Sequence, residues 1–221
     1  RIKRRMALRL FGLAVDASVE EDPMKTNPKR CACFTVGALL VAAVSASIHP
    51  LVAQTELVVN GDFSQDLTRW EHLVSVPPEG NSISVVDVGG NPVLQMSVNA
   101  LEGNGTGWHV QAWQTDGALN GLSPSTTYRL RFRARASVER PLYIEVNQYN
   151  YPDLYFYLGL RVEPTIGTTW QNYEITFRTV DDTPENPWPD PATYFKLVLA
   201  AGQALGTVWL DDISLQETPP S

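Results

Sequence analysis

From about residue 54 onward, apolar side chains recur at every second position rather than every third or fourth. Successive side chains of an extended strand point to opposite faces, so this period predicts strands with one buried face and no amphipathic helix. The longest instance is Tyr128, Leu130, Phe132, Ala134 and Ala136, interleaved with Arg129, Arg131, Arg133 and Arg135. Val110 and Ala112 alternate with His109, Gln111 and Trp113, and Ile144 and Val146 with Tyr143, Glu145 and Asn147. Leu154, Phe156 and Leu158 alternate with Tyr155 and Tyr157. Further inward sets are Tyr173, Ile175 and Phe177, then Phe195, Leu197 and Leu199, then Val208 and Leu210.

Turn formers separate these runs: Gly89-Gly90-Asn91-Pro92, Gly103-Asn104-Gly105, Ser123-Pro124, Asn150 to Asp153, Gly167, a Pro-rich run over 181–191, and Gly202 to Gly206. Short strands punctuated roughly every ten residues predict an all-β fold, a two-sheet antiparallel sandwich or a barrel. Composition does not change after residue 54, which predicts one domain over 54–216, with 217–221 opening a linker. Residues 1–23 receive no fold. From Met24 the chain reads as a secretory signal peptide over 24–53: Lys25, Lys29 and Arg30, an apolar run from about Phe34 to Val44, small residues and Pro50. Cleavage is expected after Ala53, with a cut near Ala46 or Ser47 as the alternative. The apolar run is too short for a membrane span, which needs roughly 20 residues. The expected location is therefore extracellular or periplasmic.

Both cysteines, Cys31 and Cys33, fall within that leader and neither closes a lipid-attachment motif. The remaining chain is cysteine-free and well above the roughly 60 residues at which domains become marginal, so its core can stabilise it without disulfides. Residues 54–221 carry 9 Lys and Arg against 20 Asp and Glu, a net charge of −11. That balance opposes nucleic acid or an anionic lipid surface as partner, because phosphate binding needs clustered cations.

Three segments resemble the carbohydrate-binding modules of families 4, 9, 16 and 22. The first is LVVNGDFSQDLTRW, Leu57 to Trp70. The second runs from GWHVQAWQ, Gly107 to Gln114, through LSPSTTYRLRFRARAS, Leu122 to Ser137. The third is TTWQNYEITFRT, Thr168 to Thr179, followed by GTVWLDDISL, Gly206 to Leu215. The resemblance spans about 160 residues in matching order. It implies a β-jelly-roll fold, polysaccharide binding on the concave face of one sheet, and a structural calcium near Asn60, Asp62 and Asp211. Calcium takes several oxygen ligands. The family usually has Glu after the Phe where this chain has Ser64, and the alternative is that Asp62 and Asp211 satisfy turn amides.

Sugars lay their apolar ring faces on aromatic side chains and exchange water for planar polar partners. Outward strand positions of that chemistry are Gln111, Trp113, Arg133, Arg135, Tyr143, Glu145, Asn147 and Tyr149, the candidate binding residues. Trp188, in the Pro-rich run, joins them as a rim aromatic or else plugs the sandwich end. Trp108 shares parity with the core residues Val110 and Ala112, which places it inward. Trp70, Trp170 and Trp209 fall at family positions that look structural. Four arginines along one strand face repel unless acids or a ligand lie opposite. Glu145 and other acids are the expected compensators, and the alternative is recognition of an anionic sugar.

Nothing in the sequence points to catalysis. Glycoside hydrolysis needs two carboxyl groups facing each other across the bond, whereas Asp181-Asp182 and Asp211-Asp212 are neighbours expected on opposite strand faces. There is no Gly-x-Ser-x-Gly elbow, and His72 and His109 are not spaced for zinc. The leading expectation is a non-catalytic, monomeric module that targets a covalently linked glycoside hydrolase, continuing beyond Ser221, to xylan, β-glucan or cellulose. A stand-alone adhesion sandwich and a small lyase or hydrolase remain as alternatives.

Overall fold

A computed structural model describes residues 54–75, 80–103, 107–115, 117–150, 154–189 and 195–218. The segments 1–23, 24–53 and 219–221 lie outside the described residues, as do parts of the turns expected at 103–105, 150–153 and 181–191. Extended backbone is the conformation that sends an alternating apolar set to one side, and the described chain is built almost entirely from it. In chain order the strands are β1 (Glu71–Val74), β2 (Ser82–Asp87), β3 (Pro92–Val98), β4 (Val110–Gln114), β5 (Thr127–Ala136) and β6 (Arg140–Pro141). They continue as β7 (Tyr143–Asn150), β8 (Leu154–Val162), β9 (Thr165–Ile166), β10 (Gln171–Arg178), β11 (Phe195–Ala200) and β12 (Gly206–Glu217). Two short 3-10 turns, Gly107–His109 and Gly117–Gly121, flank β4.

β1, β4, β11, β7 and β8 form one antiparallel sheet in that order; β10, β5, β12, β3 and β2 form the other; β6 and β9 pair as a ribbon. The fold is thus a two-sheet antiparallel sandwich, as the alternation allows, of the jelly-roll type that the resemblance implies. Tyr128, Leu130, Phe132, Ala134 and Ala136 of β5 are buried in one cluster with Val110 and Ala112 of β4, Ile144 and Val146 of β7, and Leu197 and Leu199 of β11. Each such aliphatic side chain contributes about 1.5–3 kcal/mol by leaving water.

The segment before β1 closes the core with Leu57, Val58, Phe63 and Trp70. Leu57 N–H donates to the Leu215 carbonyl at 2.9 Å, and the Glu56 carboxylate accepts from Leu215 N–H at 2.8 Å. Asn60 ties its loop by donating to the carbonyls of Asp66 and Thr68, and Trp70 Nε1 donates to the Asn60 carbonyl at 3.1 Å. The buried Gln114 amide clasps the Val59 backbone both ways, at 2.7 and 2.8 Å. Asn60 and Gln114, both within the segments that carry the resemblance, are therefore fold determinants.

Five expectations need correction. His109 was placed on the outward face, but a 3-10 turn precedes β4 and breaks the strand parity. His109 is buried against Ser75 Oγ at 2.5 Å and touches Glu102, while Trp108, expected inward, is 52% exposed. Asp211 and Asp212 do not take opposite faces, because a bulge between Asp211 and Ser214, with Asp212 at φ 52°, brings both within 3.9 Å of Arg133. Trp188 packs against the core with its ring edge-on to Phe195 at 5.6 Å, so it plugs the sandwich. Finally, Glu217 is the last residue of β12 and not linker.

A second bulge lies on β8: the neighbours Val146 and Asn147 of β7 face Leu160 and Tyr157, which leaves Leu158 and Gly159 as the extra residues. Gly159 has φ 122°, and a Cβ there would stand 2.4 Å from the Arg178 carbonyl oxygen. Gly159→Ala is expected to cost about 1–3 kcal/mol or more, read as a lower urea midpoint. An unchanged midpoint would show that β8 can re-register without this glycine.

Candidate functional site

The outward face of the β1-β4-β11-β7-β8 sheet holds a cleft of about 770 Å³. Along β11 it is lined by the small, buried Val198 and Ala200 and by Lys196. On the β4 side stand Trp108, Gln111 and Trp113; on the β7 and β8 side stand Tyr143, Glu145, Asn147 and Tyr155. Leu73 of β1 and Glu163, after β8, mark its limits, so the cleft crosses all five strands. Four inter-strand gaps of about 4.8 Å make that roughly 19 Å. The Gln203 amide, donating to Glu163 Oε1 at 3.0 Å, lines one long side together with Gly107.

Register explains why these residues meet. Trp113 lies opposite Val198, Val198 opposite Glu145, and Glu145 opposite Arg161, one row across four strands. Gln111, Ala200 and Tyr143 make the next row. Trp108 and Tyr155, 52% and 48% exposed, are among the few large apolar side chains that the described residues leave open to solvent.

Glu145 is the electrostatic centre. It is almost fully buried, and its carboxylate accepts from Arg161 Nη2 at 2.6 Å, Arg161 Nε at 2.9 Å, Asn147 Nδ2 at 2.9 Å and the Tyr155 hydroxyl. Burial is the largest single influence on this carboxyl and disfavours its charge, but the hydrogen bonds from Tyr155, Arg161, Asn147 and Tyr143 together outweigh it and hold it below the ordinary carboxylate range. Burial, followed by the bond to Glu145, pushes Tyr143 up to about 12. Lys196 lies 5.3 Å from the Trp113 ring centroid, and burial holds its ammonium below the usual lysine range. Glu145 is thus a charge already neutralised by its neighbours, and its bonds fix Asn147 and Tyr155 along the cleft and Arg161 beside it.

Of the residues singled out from sequence, Gln111, Trp113, Tyr143, Glu145 and Asn147 come together here. Tyr149 continues β7, opposite Tyr155, with its side chain outside the described set. Arg133 and Arg135 do not join them: they lie on β5, in the opposite sheet. Trp188 is displaced to the sandwich end, as described above. Glu145 does not balance the four arginines of β5 either, since it serves Arg161; Glu174, Asp211 and Asp212 take that part. Sequence reasoning passed over Trp108, Tyr155, Arg161, Lys196 and Gln203. Tyr155 was legible as outward from its alternation with Leu154 and Phe156, and Gly107 was the one local sign that parity fails before Val110.

The residues expected to hold calcium do not converge. Asp62 Oδ1 accepts from Ser64 N–H and Oγ, closing its own turn, and Asn60 Oδ1 accepts from Gln65 N–H. The Asp211 carboxylate is occupied by Asn91 at 2.7 Å, Arg133 at 2.9 Å and the Asp212 amide at 2.8 Å. Among the described residues no three His, Cys, Asp or Glu side chains gather closely enough to hold an ion. As placed, these side-chain oxygens serve turn amides and an ion pair.

Residues 55–188 match a family described as a carbohydrate binding domain. A search of curated proteins returns no match. Among solved structures, a CBM4 module is 19% identical over 73% of this chain and 99% of its own, with a TM-score of 0.53. A protein from Bacteroides thetaiotaomicron, named for sugar binding, is 14% identical over 74% of this chain and all of its own, at 0.57. An arabinose-bound α-L-arabinofuranosidase is 19% identical over 73% of this chain but 26% of the enzyme, at 0.52. At these identities the likeness to each structure is one of fold.

Two predictions follow from the charges. The folded Glu145 carboxyl titrates below its unfolded value, so the stability it contributes is present above the unfolded value and disappears as pH falls through the folded one. Glu145→Gln is expected to cost about 1–3 kcal/mol at pH 7, with the difference from wild type shrinking as pH falls through the acid range below the ordinary carboxylate value. Equal urea midpoints at pH 7 would contradict this. Chelating divalent ions is expected to shift the thermal midpoint by less than about 2 °C, whereas loss of an ion bound far above its Kd would remove several kcal/mol.

Proposed function

The chain belongs to the carbohydrate binding domain family, and we propose that its cleft holds a polysaccharide and that the chain is the secreted, non-catalytic module of a glycoside hydrolase acting on xylan, β-glucan or cellulose. The observation that carries the reading is the pairing of exposed aromatic side chains, Trp108 and Tyr155, across a groove lined besides by amides, a hydroxyl, an internally paired Glu145, and Lys196 and Glu163. Pyranose rings have apolar faces and polar edges. A groove with flat aromatics on its sides and Gln111, Asn147 and Gln203 between them offers partners to both.

Several features support the finer statements. The cleft crosses the whole sheet, which suits a run of linked sugars better than a single ring. A net charge of −11 over residues 54–221 favours a neutral glycan. The α-L-arabinofuranosidase, of whose length the matched part is about a quarter, is a case of this fold joined to a larger enzyme. The basic-then-apolar pattern over 24–53 supports export. A purely binding role accords with Glu145, whose carboxylate is fully engaged by Arg161, Tyr155 and Asn147.

Affinity electrophoresis through gels containing soluble xylan, β-glucan or a cellulose derivative tests this. Wild type is expected to be retarded in at least one gel, and Trp113→Ala and Trp108→Ala to weaken retardation about tenfold without lowering the thermal midpoint by more than a few degrees. No retardation in any gel contradicts the reading. Release of reducing ends from any of these glycans contradicts its non-catalytic part.

A further inference from the structure

The outward face of the other sheet presents different chemistry. β5 sends Arg129, Arg131, Arg133 and Arg135 out on this side, spaced by about 6.7 Å. Glu174 on β10 serves two of them, 2.8 Å from Arg131 and 3.6 Å from Arg129. Asp211 lies 2.9 Å from Arg133, and Asp212 3.9 Å. Among the described residues no carboxylate forms an ion pair with Arg135. Its guanidinium instead sits between two indoles, 5.3 Å from the Trp170 centroid and 4.5 Å from that of Trp209. Arg133 also approaches Trp170, at 4.7 Å, and Trp209 is fixed by its Nε1 donating to Gln95 at 2.8 Å.

Four guanidinium groups thus meet three carboxylates, and the surplus cation is the one held between aromatic plates. Residues 54–221 carry only nine Lys and Arg, so placing four on one strand face concentrates the scarce charge where it repels itself. A depression of about 470 Å³ beside Arg131 and Arg133 is lined further by Asn172 and Ser214 and by their ion-pair partners Glu174 and Asp212, so its cations are already matched and the unmatched one, Arg135, lies outside it. Guanidinium forks match planar carboxylate and sulfate oxygens, half-buried indoles accept ring faces, and an amide and a hydroxyl suit sugar hydroxyls. The net charge of −11 repels any polyanion at long range, so an acidic glycan would be held by local contact with these arginines and indoles and not by steering from the whole domain.

We propose that this face is a second binding site, separate from the cleft, which takes an acidic polysaccharide by seating its uronate or sulfate groups on Arg133 and Arg135 between Trp170 and Trp209. The two sites lie on opposite sheets, so one domain can hold a neutral and an acidic glycan at once.

Affinity electrophoresis of the full chain in separate gels of polygalacturonate, a sulfated dextran and a neutral xylan or β-glucan tests this. Arg135→Gln is the informative variant because it leaves no carboxylate without its partner. Arg135→Gln should weaken retardation by at least one acidic glycan at least about threefold and leave the neutral gel unchanged; Trp113→Ala should do the reverse. Wild-type retardation in the acidic gels should fall several-fold between about 0.05 and 0.5 M salt, as exposed charges are screened. The two acidic gels tell uronate from sulfate. The proposal is overturned if no acidic gel retards the wild type, if Arg135→Gln binds acidic glycan as wild type does, or if Trp113→Ala loses it. Should Arg135→Gln fail to fold, the Trp113→Ala and salt results decide. Absence of neutral-glycan binding alone counts against the cleft and leaves this face standing.

Discussion

Each strand of the cleft sheet is shared between a core that excludes water and an open face, and this shared use fixes both fold and site. A shift of one residue in β7 would bring Tyr143, Glu145 and Asn147 inward in place of Ile144 and Val146. That would bury a carboxylate away from Arg161 and expose aliphatic surface, two penalties at once. The cleft row Trp113, Val198, Glu145, Arg161 is therefore held in register by the burial of the residues between. Departures from strict alternation occur where a turn or bulge relieves the constraint: the 3-10 turn that frees Trp108, and the bulge that brings Asp211 and Asp212 together.

Electrostatics divides the two faces. In the cleft, the charge of Glu145 is consumed locally by Arg161, Tyr155 and Asn147, leaving aromatic planes and amides as what a ligand meets. On the arginine face the cations outnumber their acids, and Arg135 relies on indole faces for stabilisation. Lys196, half-buried near Trp113, keeps a cation within the cleft, so the two faces differ in degree and in surplus charge.

Much of this was legible in the sequence, and the reasons for the misses are physical. Period-two patterning located β5, β7, β8 and β11 and told their inner from their outer residues, because a half-buried strand can satisfy its apolar set in only one way. It could not say which sheet a strand joins. Gln111 and Arg133 look equivalent as outward polar residues, yet strand order places them on opposite sides of the molecule. Parity also fails at Trp108, where Gly107 is the one local sign of the turn, and silently at Asp212, whose positive φ nothing in LDDISL announces. The ion pair between Glu145 and Arg161 joins residues 16 apart through a bulge at Gly159, and no local pattern encodes it.

Assigned backbone and side-chain NMR shifts, followed while a soluble xylo- or gluco-oligosaccharide is added, test the central claim most directly. The account predicts saturable shifts concentrated on the Trp108 and Trp113 indoles, Gln111, Asn147 and Tyr155, with the β5 arginines unmoved by a neutral glycan. Shifts confined to the β10-β5-β12 face, or an unchanged spectrum across a panel of such oligosaccharides, would contradict it.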